Sequence, residues 1–318
     1  MQMRKADEGF VFVGTDAIPS CHASTIAQLP NGILAAAWFA GQEEGSPDSA
    51  NYFAMRRRNE DSWQPFRLLD NVIDHAHGNP RLYLDAEKRL VVMYAVCYGR
   101  WCRDDLMYTR RSTDEAQTWS DAAPIEVGAN VLGKNPPAVY ADGRIVCPVT
   151  VEKAPHGAGC LISDDDGDNW RLLIIEESSE APPLIQPTIA VLSDETLLMY
   201  LRSRRRRIWQ CRSVDRGETW STPEPTELPQ NSSGLCMIRH SSGRMLLACN
   251  PTTEGRTPLA VLGSEDEGES WQQLIVLEDG AGEYSYPTII EGLDGAVHVT
   301  YTWQRKRIKR VELELMRE

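Results

Sequence analysis

Arginine, carboxyl and aromatic side chains recur in the polar breaks between apolar runs of this 318-residue sequence. Arg81 follows His77-Gly-Asn-Pro, Arg202 ends Leu198-Met-Tyr-Leu, Arg256 closes Asn250-Pro-Thr-Thr-Glu-Gly, and Arg305 follows Trp303-Gln. The same kind of break holds His22, Glu43, Glu44, Asp48, Trp101, Asn135, Glu152, Gln186, Tyr284 and Tyr286. A guanidinium group makes paired hydrogen bonds to a carboxylate or phosphate. Several of them converging at one mouth would suit an anionic small molecule, a carboxylated sugar first. The plainer alternative is that these arginines pair with Glu43, Glu44, Asp48 or Glu152 and only line a channel.

The rest of the composition narrows the class. Acidic residues outnumber basic ones 46 to 33, a net charge of −13. Such a surface repels nucleic acid and anionic membrane unless its charge is strongly segregated. Two basic runs, 204–207 and 305–310, are the places where segregation could occur. The longest apolar run, 33–40, is far short of a membrane-spanning helix. No apolar stretch follows the charged start, so no secretory signal is expected, and a cytoplasmic location with reduced thiols follows. The eight cysteines include no Cys-x-x-Cys pair, so no metal site is expected. No phosphate loop or Gly-x-Gly-x-x-Gly stretch is present, and no cofactor is expected.

The elements that must position the candidate residues are set by a repeat. Ser112-Thr-Asp114-Glu-Ala116-Gln-Thr-Trp119 returns as Ser163-x-Asp165-x-Gly167-x-x-Trp170, Ser213-x-Asp215-x-Gly217-x-x-Trp220 and Ser264-x-Asp266-x-Gly268-x-x-Trp271. Successive copies lie about fifty residues apart, and a worn copy ends at Trp63. A second series interleaves with the first: Asn31-Gly32, Asp85, Asp142-Gly143, Asp194, Gly243 and Asp294-Gly295 each sit between apolar runs. These are hairpin turns, and the flanks are rich in strand-forming residues. Six hairpins with about fifty residues each predict an all-β fold, a six-bladed propeller of four-stranded antiparallel blades. The last blade lacks its outer strand at the C-terminus. The segment 9–14 should supply it and close the ring, which removes an exposed edge. The whole chain, 1–318, then forms one domain. The Ser-Asp-Trp boxes read as turns that bond their own backbone, with Trp filling the space between blades.

This topology separates two faces. Hairpins and boxes occupy one. The entries to the innermost strands (19–24, 75–81, 133–136, 184–188, 230–233, 283–287) and the loops between second and third strands (39–48, 94–105, 150–157, 201–207, 250–256, 302–306) occupy the other. Nearly all the candidate residues lie in these segments.

The boxes resemble the Asp-boxes, or bacterial neuraminidase repeats, of the sialidase superfamily, and the resemblance covers roughly residues 9 to 313. It implies a Tyr nucleophile at the start of the last blade, with Tyr286 in the better register and Tyr284 second. It implies Asp48 as acid/base, with a pKa raised by burial in the mouth, and Arg202 and Arg256 as two of the three arginines that grip a sugar carboxylate. Two positions depart from it. The stretch 18–25, where the first arginine should stand, has none, and His22 occupies the neighbourhood. The Glu that should activate the tyrosine is replaced by Gln186, which cannot take a proton; Glu152 is the expected substitute.

The resulting expectation is an exo-acting glycoside hydrolase for a small acidic or decorated saccharide. Arg81 and Arg305 would assist Arg202 and Arg256, Asn135 and Gln186 would bind polar groups, and Trp101 or Trp303 would stack on the sugar. Two alternatives stay open. One is a uronic-acid lyase with His22 and Tyr286 removing the proton. The other is a propeller that binds sugars without reacting.

Overall fold

The computed structural model describes residues 2–58, 60–153, 156–178 and 181–316. No helix occurs among them; the chain forms six antiparallel sheets arranged as blades around one axis. Blade 1 runs outward through Ser20–Gln28, Leu34–Gly41, Ala50–Arg56 and Arg67–Asp70. Blade 2 follows with Ala76–Leu84, Leu90–Cys97, Asp105–Ser112 and the two-residue Ala123–Pro124. Blade 4 comprises Ile185–Val191, Leu197–Arg202, Arg207–Ser213 and Glu224–Pro229, and blade 5 Cys236–Arg239, Met245–Cys249, Leu259–Ser264 and Gln272–Glu278. Blade 3 departs from the pattern. Its innermost strand is split into Val131–Leu132 and Ala138–Val139, both paired with Ile145–Val151. The interruption falls at Asn135-Pro-Pro, where proline cannot donate to a ladder.

Blade 6 contains Tyr284–Glu291, Val297–Trp303 and Arg307–Leu315, and its outermost strand is the N-terminal Met3–Val13. Closure therefore occurs as expected, with a strand that starts six residues before the anticipated 9–14 segment. Arg4, Lys5, Asp7 and Glu8 pair along the blade edge, where side chains stay in solvent and alternation is not required. Arg310, buried at this seam, bonds Asp7 Oδ2 at 2.6 Å across the closing ladder.

An apolar cluster fills the space between each pair of neighbouring blades. The box tryptophans lie in these clusters: Trp119 between blades 1 and 2, Trp170 between 2 and 3, Trp220 between 3 and 4, and Trp271 between 4 and 5. Trp63, from the worn copy, packs at the seam of blades 6 and 1. Each box is a closed hydrogen-bond unit. In blade 5, Ser264 Oγ donates to Asp266 Oδ1 at 2.7 Å and accepts from Gly268 N at 2.8 Å, while Ser270 N donates to Asp266 Oδ1 at 2.8 Å. The turn needs a left-handed residue, which glycine supplies at φ 93 in blade 5 and Ala116 at φ 63 in blade 2.

Around the axis, the innermost strands of blades 1, 2, 4 and 6 each break register once. One residue in each break has positive φ: Ala23 (51), Asn79 (43), Gln186 (47) and Tyr286 (54). Non-glycine residues rarely adopt this conformation, and such bulges re-aim a side chain out of the pleat. Threonines stitch the bulges of adjacent blades together: Gln186 N donates to Thr150 Oγ1 at 2.8 Å, and Thr288 Oγ1 donates to Ser24 O at 2.9 Å.

Candidate active site

At the face opposite the boxes, a cavity of about 850 Å³ opens at the axis. Every one of the six loops between second and third strands contributes to its wall. Glu44 comes from blade 1, Trp101 and Arg103 from blade 2, Glu152 and His156 from blade 3, Arg202 and Arg204 from blade 4, Arg256 from blade 5 and Arg305 from blade 6. The bulge residues Gln186 and Tyr286 form the floor side of this lining.

Tyr286 is the centre of the arrangement. Its phenol oxygen accepts a hydrogen bond from Arg202 Nη1 at 2.7 Å, and the same nitrogen donates to Gln186 Oε1 at 2.6 Å. Ser232 Oγ accepts from Arg202 Nε and Nη2 at 3.3 and 3.2 Å, which fixes the plane of the guanidinium. The cations of Arg202, Arg256 and Lys134 stand 5.8, 5.5 and 5.9 Å from the Tyr286 ring centroid. Lys134 is buried, donates to Asn135 Oδ1 at 3.0 Å and bonds Pro287 O, so it clamps the residue that follows the bulge. Burial brings its ammonium down to about 8. Gly234 permits this packing: a Cβ there would stand 3.2 Å from both Lys134 Cε and Tyr286 Cγ.

Arg256 and Arg305 share one carboxylate. Glu283 Oε1 accepts from Arg256 Nη1 and from Arg305 Nε, both at 2.6 Å, and from Ser285 Oγ at 2.9 Å. Burial opposes its charge, but the two guanidinium groups outweigh it and hold the carboxyl below its ordinary range. Arg305 also bonds Glu44 Oε2 at 2.5 Å. Pairing of arginines with wall carboxylates thus applies to Arg256 and Arg305. Arg202 meets no carboxylate among the described residues.

His22 lies behind the tyrosine, with ring centroids 4.1 Å apart. Its Nδ1 is 2.8 Å from Thr302 Oγ1, and its Nε2 is buried with no partner. Burial first, then Arg305, Arg256, Lys134 and Arg202, hold its pKa well below the ordinary value, so the ring is neutral. Glu152 stands across the cavity from Tyr286, 7% exposed. Burial, reinforced by the nearby Asp105 and offset in part by Arg103, raises its pKa to about 8. At neutral pH it is a protonated acid, not a base able to take the tyrosine's proton.

Several expected residues are elsewhere. Asp48 is exposed and outside the cavity lining; its carboxylate accepts from Gln42 N at 3.0 Å and Ser46 Oγ at 2.6 Å within its own loop. The burial expected of it is not found: within the loop 42–48 Glu44 turns to Arg305, while Asp48 bonds its own loop at the surface. Arg81 is fully buried between blades 2 and 3, where it donates to Cys147 Sγ at 3.0 Å and Pro148 O at 3.2 Å. It follows its bulge by two residues and so points into the wall rather than the mouth. Asn135 is also buried and bonds Pro187 O at 2.9 Å, tying blade 3 to blade 4. Tyr284 and Trp303 pack on each other at 6.0 Å between the blade faces, since the bulge at Tyr286 breaks the alternation that would otherwise put Tyr284 and Tyr286 on one side. Trp101 does line the cavity, seated over Gly45 and Gly78, where any Cβ would strike its ring. Glu283, Asp105 and Lys134 had no assigned role in the sequence reading. One signal marks three of the four bulges: Asn79, Gln186 and Tyr286 each precede proline at the same point of a blade, as does Asn135 at the split strand of blade 3.

An arginine-walled mouth with a bulged tyrosine, on a six-bladed propeller, defines a protein of the sialidase-like superfamily. The chain belongs to the BNR repeat-like domain family, whose pattern matches residues 32–299. A curated relative is an anhydrosialidase of Macrobdella decora, 26% identical over 232 residues, which is 63% of this chain. The match spans 30% of that protein's length. Among solved structures, the Hadza microbial sialidase Hz136 superposes with a TM-score of 0.83 at 17% identity, over 96% of this chain and 68% of its own. A protein of unknown function from Dyadobacter fermentans gives 0.81 at 17% identity, over 99% of this chain and 100% of its own. At these identities the structural likeness is one of fold.

Proposed function

We propose that the protein is a sialidase-like glycoside hydrolase acting on a small acidic saccharide, and that the sugar's negative group binds at Arg202 with Arg256 beside it. The observation that carries this is the geometry of Arg202: one nitrogen bonds both Gln186 and the Tyr286 phenol, on a guanidinium that no carboxylate neutralises among the described residues. A ligand carboxylate displaces neutral partners there more easily than it would displace Glu283 from Arg256 and Arg305. Tyr286 then faces the anomeric carbon as charge stabiliser: Gln186 and the protonated Glu152 cannot take the phenol proton, so the neutral phenol turns an oxygen lone pair toward the positive charge that develops there. The anhydrosialidase relative agrees with an acidic sugar as ligand.

A lyase remains the second reading because of His22. Its unpartnered Nε2 and its contact with Tyr286 are what a proton-abstracting pair would need. Turnover of a panel of aryl glycosides of sialic and uronic acids, by wild type, Tyr286→Phe and Arg202→Met, tests the proposal. The hydrolase reading expects release of the aryl group by wild type only. Equal release by all three proteins would contradict it.

A further inference from the structure

We propose that Glu152 is the proton donor of this reaction, a role that rests on the hydrolase reading above. The lining contains two carboxyl groups, Glu44 and Glu152. Glu44 is committed to Arg305. Glu152 has no hydrogen bond or ion pair to its side chain among the described residues, although it is 7% exposed. Its main chain is fixed: Glu152 N donates to Asn130 O at 2.9 Å, just past the strand Ile145–Val151. A buried carboxyl that faces a cavity and has no partner in the protein is available to a ligand atom.

Its place in the ring suits the task. Blade 3 stands opposite blade 6 in a six-bladed ring, so Glu152 and Tyr286 flank the cavity from opposite sides. A sugar anchored at Arg202 would have the tyrosine on one side and the leaving oxygen toward Glu152. Cleavage then proceeds as follows. The Glu152 proton passes to the glycosidic oxygen while the C–O bond breaks, and the bond's electron pair stays on that oxygen. Water later adds to the anomeric carbon and returns one proton to the Glu152 carboxylate.

The surroundings keep the acid protonated. Asp105 from blade 2 is buried nearby, its own pKa raised by burial to about 6, so it ionises first and disfavours a second charge at Glu152. The other groups around it are Arg103 and Cys102 of blade 2, Lys153 and His156 on its own loop, and Arg202 and Arg204 of blade 4. Lys153 is occupied by Asp104 at 2.7 Å. Arg202 is held by Gln186, Tyr286 and Ser232.

The test compares two substrates with the same acidic sugar, one with an aryl leaving group that needs little protonation and one with a saccharide leaving group. In Glu152→Gln, kcat/KM on the saccharide should fall by about 10²–10⁴-fold, with a much smaller loss on the aryl glycoside. The alkaline limb of the wild-type profile, expected near pH 8, should disappear in the variant. Folding is checked by melting: the variant should be as stable as wild type at pH 5 and more stable at pH 8, where wild type carries the cost of ionising Glu152. Equal losses on both substrates with the alkaline limb intact would overturn the assignment. So would a leaving-group dependence that follows Asp48→Asn instead. A wild type that cleaves neither substrate would overturn the hydrolase reading and this assignment with it.

Discussion

Arg202 holds the Tyr286 phenol and is the proposed anchor of the anion, and its substitution tests the second role. Arg202→Lys keeps a charge but loses the fork that reaches Gln186, Tyr286 and Ser232 together. Charged hydrogen bonds contribute about 1.5–3 kcal/mol each, so acidic-sugar affinity, read by calorimetry, should fall about 10–100-fold. An unchanged affinity would move the anion site to Arg256 and Arg305. The sequence marked Arg202, Arg256, Arg305, Gln186, Glu152, Trp101 and Tyr286, and all seven line the cavity. It missed Glu283, because a carboxylate acquires meaning from the two arginines facing it, and those come from loops about fifty residues apart. It misplaced Arg81 and Tyr284, which flank bulges, for a related reason. A bulge switches which side of the strand faces the axis, and a one-residue shift sends the neighbours into the wall.

The repeat element is the most locally specified part of the molecule. Ser264 is buried, and its hydroxyl satisfies both Asp266 and the Gly268 amide. Ser264→Ala should cost about 1–3 kcal/mol in denaturant unfolding, because the Gly268 N–H loses its partner. A loss well under that range would mean that water replaces the hydroxyl. The box carboxylates also set the acid response. Hydrogen bonds from Thr118 and Ser270 hold Asp114 and Asp266 down at about 2, and Asp215, despite the cost of burial, is held there by Thr219. Folded values below the ordinary 3.8 mean stability that is present above about pH 4 and lost as pH falls toward 2. Acid unfolding should begin in that window, and replacing the three aspartates by asparagine should flatten it. These turns were readable in sequence because donor, acceptor and positive-φ residue all lie within eight positions. The split strand of blade 3 was not, since its cause is a proline pair acting on ladder bonds to a strand farther along the chain.

The whole ring depends on one non-local closure. Met3–Val13 pairs with Arg307–Leu315 along nearly its full length, and Phe12 joins the apolar seam between blades 6 and 1. Removal of residues 2–13 would expose the edge of Arg307–Leu315 and take Asp7 from the buried Arg310, leaving it Glu312 and His298. Such a truncation should aggregate or melt well below the intact chain in light scattering and calorimetry; an unchanged melt would mean that the seam carries little of the stability. Six-fold architecture also explains why the mouth is polar on an acidic protein: each blade sends one loop to it, so a few cationic positions per repeat are gathered at one point. The central claim is that this mouth adds water across a glycosidic bond of an acidic sugar. Mass spectrometry of sialylated and uronic-acid oligosaccharides incubated with wild type and Tyr286→Phe tests it most directly. The account predicts a released acidic monosaccharide carrying one added water with wild type and intact substrate with the variant. An unsaturated product, or a panel returned unchanged by wild type, would contradict it.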